Sequence, residues 1–254
     1  MNNDDPTFPP LLAGHPINDS ENAMAAAVRG IGAGQFGAGD VLWSRAVPKG
    51  ELAIVLEPEC PLSQALQMVP LALVASGDCL GALAPPQVAV TFGWPGDILV
   101  NGAQAGQVSA AWPAAAARDD VPDWLVVGFQ VALMHDAHDM EPGMMPEVTV
   151  LAEEGCEELT RGQLIGSYSR HFLTWLNIWQ DDGFRPVHDA WMVRAEGREE
   201  DKTYHLGGRE IRGRTLGLDE EGNLLLKPGD GPARSLGLGN ALKEAQNRKR
   251  NGEG

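Results

Sequence analysis

An Asn-Gly pair between two apolar runs is the strongest constraint that this sequence places on its fold. Ile98-Leu99-Val100 runs into Asn101-Gly102, and a second strand-like stretch follows at residues 104–111. A two-residue turn of type I′ needs a positive φ at both central positions, which asparagine and glycine adopt readily. The pair therefore predicts a β-hairpin and, with it, an antiparallel sheet.

Further strands are predicted on both sides of this hairpin. Residues 40–45, 52–56, 88–92 and 124–134 are short apolar stretches with a high content of valine and isoleucine. That length and composition are typical of strands in the core of a sheet.

Three helices are predicted between and after these strands. The first runs through residues 23–28, with N-caps offered by residues 18–20. The second covers the Ala/Leu-rich residues 62–83, and Pro70 is expected to kink or divide it. The third spans residues 160–179, where a threonine and a glutamine three residues later match a capping box. A shorter helix is expected shortly after it.

The character of the chain changes after a charged linker near residue 200. Short strand candidates separated by Gly-rich turns fill residues 202–240, which predicts a small antiparallel β-barrel. A unit of about 40 residues is at the lower limit for independent stability, so we expect it to pack on the larger domain. Residues 1–17, with four prolines, are expected to form an extended lead-in, and residues 241–254 a disordered tail.

The formal charge of −16 and a pI near 4.7 limit the classes of partner. A net negative surface repels phosphate backbones and anionic lipid, so neither nucleic acid nor a membrane is an expected partner. No apolar run reaches roughly 18 residues without polar breaks, and the acidic start does not match a secretory signal. Cys60, Cys79 and Cys156 are odd in number and widely spaced, as reduced thiols of a cytoplasmic protein are.

Several short motifs together resemble the biotin/lipoate–protein ligases. Residues 93–97, Gly-Trp-Pro-Gly-Asp, are similar to the Lys-Trp-Pro-Asn-Asp signature of that family. Residues 20–22 resemble the Ser-Thr-Asn at the start of the family's first helix, and residues 128–131 resemble its Gly-Ile-Asn strand. Residues 183–186 resemble the end of the catalytic domain, and residues 208–226 its C-terminal domain. The order and spacing of these pieces carry the resemblance.

The resemblance implies an α+β fold. Residues 18–195 would form a class II synthetase-like catalytic domain, with a mixed or antiparallel sheet flanked by helices, and residues 202–240 a small SH3-like β-barrel. It also implies activation of biotin, lipoate or a similar acid by ATP and Mg to an acyl-adenylate, and transfer to a lysine of a carrier-protein domain. Carboxylate and phosphate repel each other, so this chemistry requires cationic side chains and backbone N–H groups.

The chain departs from the family pattern where those cations should lie. Gly93 stands in place of the signature lysine, and Ala103 and Gln104 stand in place of an Arg-Lys pair after the hairpin. A Gly/Arg-rich loop that folds over the adenylate would lie between the second and third strands. Only the short segment 44–51, which contains an arginine and a lysine, occupies that gap.

The candidate site residues follow from this comparison. Lys49 and Gln104 are the candidate catalytic residues, because they could replace lost cations or donors; for Lys49 and Arg45 the alternative is a solvated hairpin. Trp94 either walls the acyl pocket or packs in the core, and Asp97 either lies beside the nucleotide or is a turn residue. The substrate-binding candidates are Ser20, Asn22, Arg45, Lys49, Trp94, Asp97, Gln104 and Gly106.

Other clusters of reactive residues are expected to have structural roles. Residues 135–139 combine two histidines with two aspartates, but no distant ligand is implied, so a solvated loop is preferred and no metal site is expected. Cys156 lies among four glutamates and should keep its proton. Trp175, Trp179 and Trp191 are expected to pack in the core rather than to form a ligand box.

Three functional hypotheses remain open from the sequence. The first is an ATP-dependent acyl-protein ligase that acts on a carrier domain. The second is a catalytically inactive pseudo-ligase that binds a small carboxylic acid, and the third is a protein-interaction scaffold. A regulator of DNA is not expected, since the residues before the first helix are too few for a winged helix. A monomer or a homodimer is expected.

Overall fold

The computed structural model describes residues 4–18, 21–46, 48–135, 147–198, 200–229 and 231–250. Its strands are β1 (Ala13–Ile17), β2 (Asp40–Ser44), β3 (Lys49–Leu56), β4 (Val90–Gly93), β5 (Asp97–Val100), β6 (Ala103–Ala111), β7 (Leu125–Ala132), β8 (Lys202–Leu206), β9 (Arg209–Leu218), β10 (Leu224–Lys227) and β11 (Arg234–Leu236). Its helices are α1 (Ala23–Gly32), α2 (Leu62–Ala65), α3 (Met68–Leu83), α4 (Arg161–Asp182), α5 (Arg185–Arg194) and α6 (Leu238–Arg250), with a 3₁₀ turn at Leu151–Glu154.

The predicted hairpin joins β5 and β6, next to the edge strand β4 of a seven-stranded sheet. Asn101 has a φ of 50° and Gly102 a φ of 89°, which confirms the turn. The strand order is β1-β2-β3-β7-β6-β5-β4. Only β1 and β2 pair in parallel, and the other neighbouring strands of this sheet pair antiparallel. The predicted α+β fold with a mixed sheet is therefore confirmed.

Helices cover the two faces of this sheet, and alternation along each strand assigns side chains to one face or the other. Ala53 and Val55 of β3 pack with the alanines of α1. Leu52 and Ile54 face the opposite side, where they join the larger core built with α3 and α4. Helix α4 begins at the predicted capping box, with Thr160 as its N-cap. Phe129 of β7 stacks on Tyr168 of α4 with a ring-centroid distance of 3.9 Å, which ties α4 to the centre of the sheet.

A second, four-stranded antiparallel sheet follows, in the order β11-β10-β9-β8. It packs on the larger domain, as its small size requires. Trp94 donates its indole N–H to the carbonyl oxygen of Gly222 at 3.3 Å and meets the ring of Tyr204 edge-on. Gln67, at the start of α3, donates to the carbonyl oxygen of Glu220. The C-terminal sheet is thus joined to the turn between β4 and β5 and to the start of α3.

Two details of the helix predictions are wrong. The N-cap of α1 is Asn22 rather than residue 18, because the Asn22 side chain accepts the N–H of Ala25 at 3.1 Å; residues 19 and 20 lie outside the described residues. The second predicted helix is divided before Pro70, between α2 and α3, and not at the proline. Pro70 lies in the first turn of α3, where its missing N–H costs no helical hydrogen bond.

Both ends of the chain are more regular than predicted. The lead-in ends in β1, which pairs with β2 at the edge of the large sheet. The predicted disordered tail is instead largely helical, since α6 extends to Arg250; residues 251–254 lie outside the described residues. Leu238, Ala241 and Leu242 bury one face of α6, which gives the polar segment the packing that its composition alone did not indicate.

The segment Leu62–Leu83 is long and apolar enough to cross a membrane by length and composition. In the structure it forms α2 and α3, and most of its residues are buried inside the protein. Helix α3 packs between the sheet, α4 and α5, so its apolar surface is satisfied by the core. Because most of the surface of α3 is buried, the helix has no distinct polar face.

We predict that Gly102→Ala lowers the free energy of unfolding by about 1 kcal/mol, because alanine is strained at the positive φ of this turn. Gly81→Ala is the control, since Gly81 lies in α3, is exposed and leaves open space for a Cβ atom. That change should raise stability by roughly 0.5–1 kcal/mol through helix propensity. Urea unfolding of both variants measures the difference. Equal effects at both positions would contradict the type I′ turn.

Candidate functional site

A cleft of about 740 Å³ opens on the face of the large sheet that carries α1. Helix α1 covers only part of this face, and α6 lies on the other side of the uncovered strands. The centre of the sheet therefore forms the floor, and the two helices form opposite walls. Residues from both helices and from β3, β6 and β7 line it, among them Asn22, Met24, Ala25, Glu51, Gln107, Ser109, Gly128, Gln130, Leu242 and Gln246.

The floor of the cleft carries two polar glutamine side chains and, beside them, two small residues. Gln107 of β6 pairs in register with Gln130 of β7, and Ser109 pairs with Gly128. A Cβ atom at Gly128 would lie 2.7 Å from Met24 Cε and 2.8 Å from Ser109 Oγ. A side chain at residue 128 would therefore displace the ends of Met24 and Ser109, both of which line the cleft.

A buried carboxylate joins α1 to the sheet at one side of the cleft. Glu51 of β3 is 2% exposed, and its Oε1 accepts hydrogen bonds at 2.7 Å from the side chain of Asn22 and from the backbone N–H of Ala23. Its Oε2 lies 2.6 Å from Nζ of Lys49. The carboxylate thus occupies the positive N-terminus of α1, a position that would otherwise favour an anion. The ion pair between Glu51 and Lys49 also neutralises the charge of the Lys49 ammonium group.

A smaller cavity of about 400 Å³ adjoins the cleft near the hairpin. Gln104 Nε2 donates to Asp97 Oδ1 at 2.9 Å, which joins two of the predicted site residues. Gly106 lies beside them, and a Cβ atom there would lie 2.3 Å from the carbonyl oxygen of Gln130. Gly106 therefore serves the close approach of β6 and β7. The two cavities share the side chains of Asp97 and Arg248, among others.

Helix α6 supplies the wall that faces α1. Its buried Leu242 and its half-buried Ala245 and Gln246 line the cleft, and Gln246 donates a hydrogen bond to the carbonyl oxygen of Ala110 in β6. Arg248 lies one turn from Ala245 and borders both cavities. The C-terminal segment is therefore part of the candidate site.

The structure brings together some of the predicted site residues and separates others. Asn22, Asp97, Gln104 and Gly106 line the cleft or the adjoining cavity, and Lys49 contacts the lining residue Glu51. Ser20 lies outside the described residues.

Arg45 and Trp94 are placed elsewhere, and neither belongs to the residues that line the two cavities. Arg45 points to the N-terminal segment, where it pairs with Asp5 at 3.1 Å and lies over the ring of Trp43. Trp94 is buried against the C-terminal sheet, as in the core interpretation of this residue. The signature tryptophan thus joins the large sheet to the C-terminal sheet, and its alternative role as a wall of the acyl pocket stays a prediction.

Several lining residues were missed at the sequence level. Glu51 and Gln130 are polar residues beside apolar runs of β3 and β7, where they pair in register, and that signal could have indicated a buried site. The α6 residues gave no such signal, because only the tertiary contacts place them on the cleft.

The described residues of the remaining reactive clusters are not among the lining residues of the two cavities. His135 lies 2.9 Å from Glu153, and residues 136–139 of the same motif lie outside the described residues. Burial raises the pKa of the Cys156 thiol, and the neighbouring carboxylates of Glu154 and Glu157 raise it further, so this cysteine keeps its proton as predicted. Burial also raises the pKa of the Cys79 thiol to about 12.

The three tryptophans predicted to pack in the core do so in different degrees. Trp191 is buried, whereas Trp175 and Trp179 are partly buried and place their indole N–H groups on Asp78 and Gln67. Each partner lies on or next to α3, so the two indoles join α4 to α3.

Comparison with known proteins identifies relatives in sequence and in fold. The family model for the biotin/lipoate A/B protein ligase family matches residues 8–193. The biotin–[acetyl-CoA-carboxylase] ligase of Paracoccus denitrificans is 30% identical over 191 residues, which cover 74% of this chain and 77% of that protein.

Solved structures extend the likeness to the C-terminal sheet. A biotin protein ligase-like protein of unknown function from Silicibacter sp. TM1040 superposes with a TM-score of 0.82 at 34% identity, over 92% of this chain and 98% of that one. A biotin protein ligase from Aquifex aeolicus in complex with biotin and ATP superposes with a TM-score of 0.70 at 16% identity, over 90% and 96% of the two chains, which is a likeness of fold.

We predict that Lys49→Met destabilises the protein by about 1–3 kcal/mol, because it leaves the buried Glu51 carboxylate without its cation. The double variant Lys49→Met/Glu51→Gln should recover part of this loss, since no buried charge remains. Lys227→Met, at an exposed position of β10, is the control and should change stability by less than about 0.5 kcal/mol. Urea unfolding of the single and double variants gives the coupling energy. Additive effects would show that Lys49 and Glu51 do not interact.

Proposed function

Because the chain belongs to the biotin/lipoate A/B protein ligase family, we propose that it binds a small carboxylic acid, such as biotin, lipoate or a related acid, in the cleft between α1 and α6. The observation that carries this proposal is the cleft itself, which lies on the sheet beside the N-terminus of α1 and is closed by a second helix. The ring or acyl chain would lie on the sheet, and the carboxylate would point toward the adjoining cavity.

The size and lining of the cleft suit such a ligand. Binding sites for small molecules commonly have volumes of a few hundred to about a thousand Å³ and combine apolar walls with a few polar groups. Here the walls include Met24, Val28 and Leu242, and the polar groups are the half-buried amides of Gln107 and Gln130. The apolar walls favour an acyl chain or ring, and the amides can donate hydrogen bonds to a polar head group.

The residues present do not fit the phosphates of ATP in the way the family resemblance implies. Gly93 provides no side chain beyond the backbone, and Gln104 is neutral and already bonded to Asp97. The ammonium group of Lys49 is held by Glu51, whose carboxylate also occupies the N-terminus of α1. A triphosphate would meet a carboxylate at each of these places. Binding of the acid without adenylation is therefore the function that this geometry supports best.

An acyl-protein ligase is the second candidate. Its support is the relative in Paracoccus denitrificans, whose name states a ligase activity on acetyl-CoA carboxylase. If this chain shares that activity, Lys49 or Gln104 would have to act on the reacting acid, and a carrier-protein domain would be the acceptor. In either case we propose a cytoplasmic protein that functions as a monomer or a homodimer.

We predict that calorimetric titration detects saturable binding of biotin, lipoate or octanoate, and that Mg-ATP neither tightens this binding nor releases pyrophosphate. The physical reason is that apolar burial supplies the affinity for the acid, whereas the charge of three phosphates exceeds what the described cations of the site can compensate, since Arg29 and Lys49 are already paired with Glu21 and Glu51. Pyrophosphate release in the presence of one of these acids would favour the ligase over the binding protein. Absence of binding by all three acids would overturn the proposed function.

A blocking variant tests whether the acid lies in this cleft. Ala25 is exposed on the cleft side of α1, so Ala25→Trp fills the space without disturbing the core and should abolish binding of the acid. Ala33→Trp is the control, because Ala33 is exposed at the end of the same helix and lies outside the cleft lining. Full binding by the Ala25→Trp variant would place the ligand elsewhere.

A further inference from the structure

The last turns of α6 bring a guanidinium group to the junction of the two cavities. We propose that Arg248 binds the anionic group of the ligand, so that α6 supplies the cation of this site. This inference rests on the proposed function for the ligand's acyl part, but the anion site itself can be tested independently. The anion recognised is a carboxylate or a phosphate, whose oxygen atoms present the same geometry to an arginine.

The position of α6 is fixed by contacts that precede Arg248 in sequence. The backbone N–H of Leu238 donates to the side chain of Asn223 at 2.8 Å, and Leu238 and Leu242 are buried. Glu244 accepts the N–H of Gly207 at 2.7 Å, and Gln246 donates to Ala110 in the large sheet. These contacts hold α6 to both sheets, so Arg248 is presented to the cavities by an anchored helix.

Arg248 differs from the other cations near the cleft in its electrostatic surroundings. Arg29 also lines the cleft, but it forms an ion pair with Glu21, and Lys49 forms one with Glu51. Within the described residues, no carboxylate pairs with Arg248. A guanidinium without such a partner at the edge of a partly enclosed cavity can accept an anion without first breaking an ion pair.

The overall charge of the protein favours a cation at the site of an anionic ligand. Glu51 of the lining is already paired with Lys49, and Asp97 is shared by the two cavities. An arginine beside them would offset the repulsion that the formal charge of −16 exerts on an incoming acid. The planar fork of Arg248 can donate two parallel hydrogen bonds to one carboxylate or phosphate group, which an ammonium group cannot do.

The proposal is tested by titrating the full-length protein and its Arg248→Ala variant with two pairs of probes. Octanoate and biotin carry the anion, whereas octanamide and biotinamide have the same apolar part without the charge. We expect Arg248→Ala to weaken binding of the two acids about tenfold, the lower end of what a hydrogen bond to a charged group contributes, because Arg248 is exposed. The affinity for the two amides should not change.

Lys243→Ala is the matched control. It removes one positive charge from the same helix, but Lys243 lies over the ring of Trp112 and outside the lining of both cavities. It should leave the affinities for acids and amides unchanged. If Lys243→Ala weakens binding of the acids as much as Arg248→Ala does, the effect comes from net charge and the proposal is overturned. A loss of affinity for acids and amides alike would overturn the proposal, since it would show that Arg248 acts through the packing of α6.

Inorganic pyrophosphate separates this inference from the proposed function. If the acids bind equally to the wild-type protein and to Arg248→Ala, the ligand is confirmed and the role of Arg248 is refuted. If no acid binds but pyrophosphate binds in an Arg248-dependent manner, the anion site stands and the carboxylic-acid function falls. If neither acid nor pyrophosphate binds, both are refuted.

Discussion

The burial of the Glu51 carboxylate is the interaction on which the geometry of the site depends. A charge that is 2% exposed needs partners inside the protein, and here Asn22 and Ala23 donate hydrogen bonds to one carboxylate oxygen of Glu51 while Lys49 forms an ion pair with the other. The same bonds fix the N-terminus of α1 on β3. Since α1 forms one wall of the cleft, the placement of this single carboxylate determines where the wall begins.

This placement also determines the chemistry that the site can support. The N-terminus of a helix is a common binding position for phosphate and carboxylate groups, because its N–H groups and dipole favour negative charge. In this chain the protein's own carboxylate takes that position and binds Lys49 as well. An external anion must therefore be received at another place along the cleft. The junction of the two cavities, beside Asp97 and Gln104, is the place that α6 reaches.

The sequence predicts the framework of this fold better than it predicts the site. The Asn101-Gly102 turn and the capping box of α4 could be recognised because each depends on a few adjacent residues with fixed backbone requirements. Helix α6 could not, since its exposed face is rich in charge and its short apolar face gains stability only from contacts with distant parts of the chain. Trp94 shows the same limit, because its motif does not reveal whether the ring walls an acyl pocket or packs in the core, where the structure buries it.

The predicted site residues differ in the same way, because those at motif positions lie at the cavities and a long charged side chain does not. Asn22, Asp97, Gln104 and Gly106 were predicted because they stand at recognisable motif positions, and each lies at one of the two cavities. Arg45 was predicted from its charge and its place in the shortened segment 44–51, and the structure pairs it with Asp5 of the N-terminal segment. A motif constrains where the backbone lies, but the destination of a long charged side chain depends on which opposite charge the fold brings near it. In the proposed function, an anionic ligand would therefore draw its cation from another element of the fold. Arg248 of the C-terminal helix borders both cavities and has no carboxylate partner among the described residues, so a helix that the sequence did not reveal offers a positive charge to the cleft.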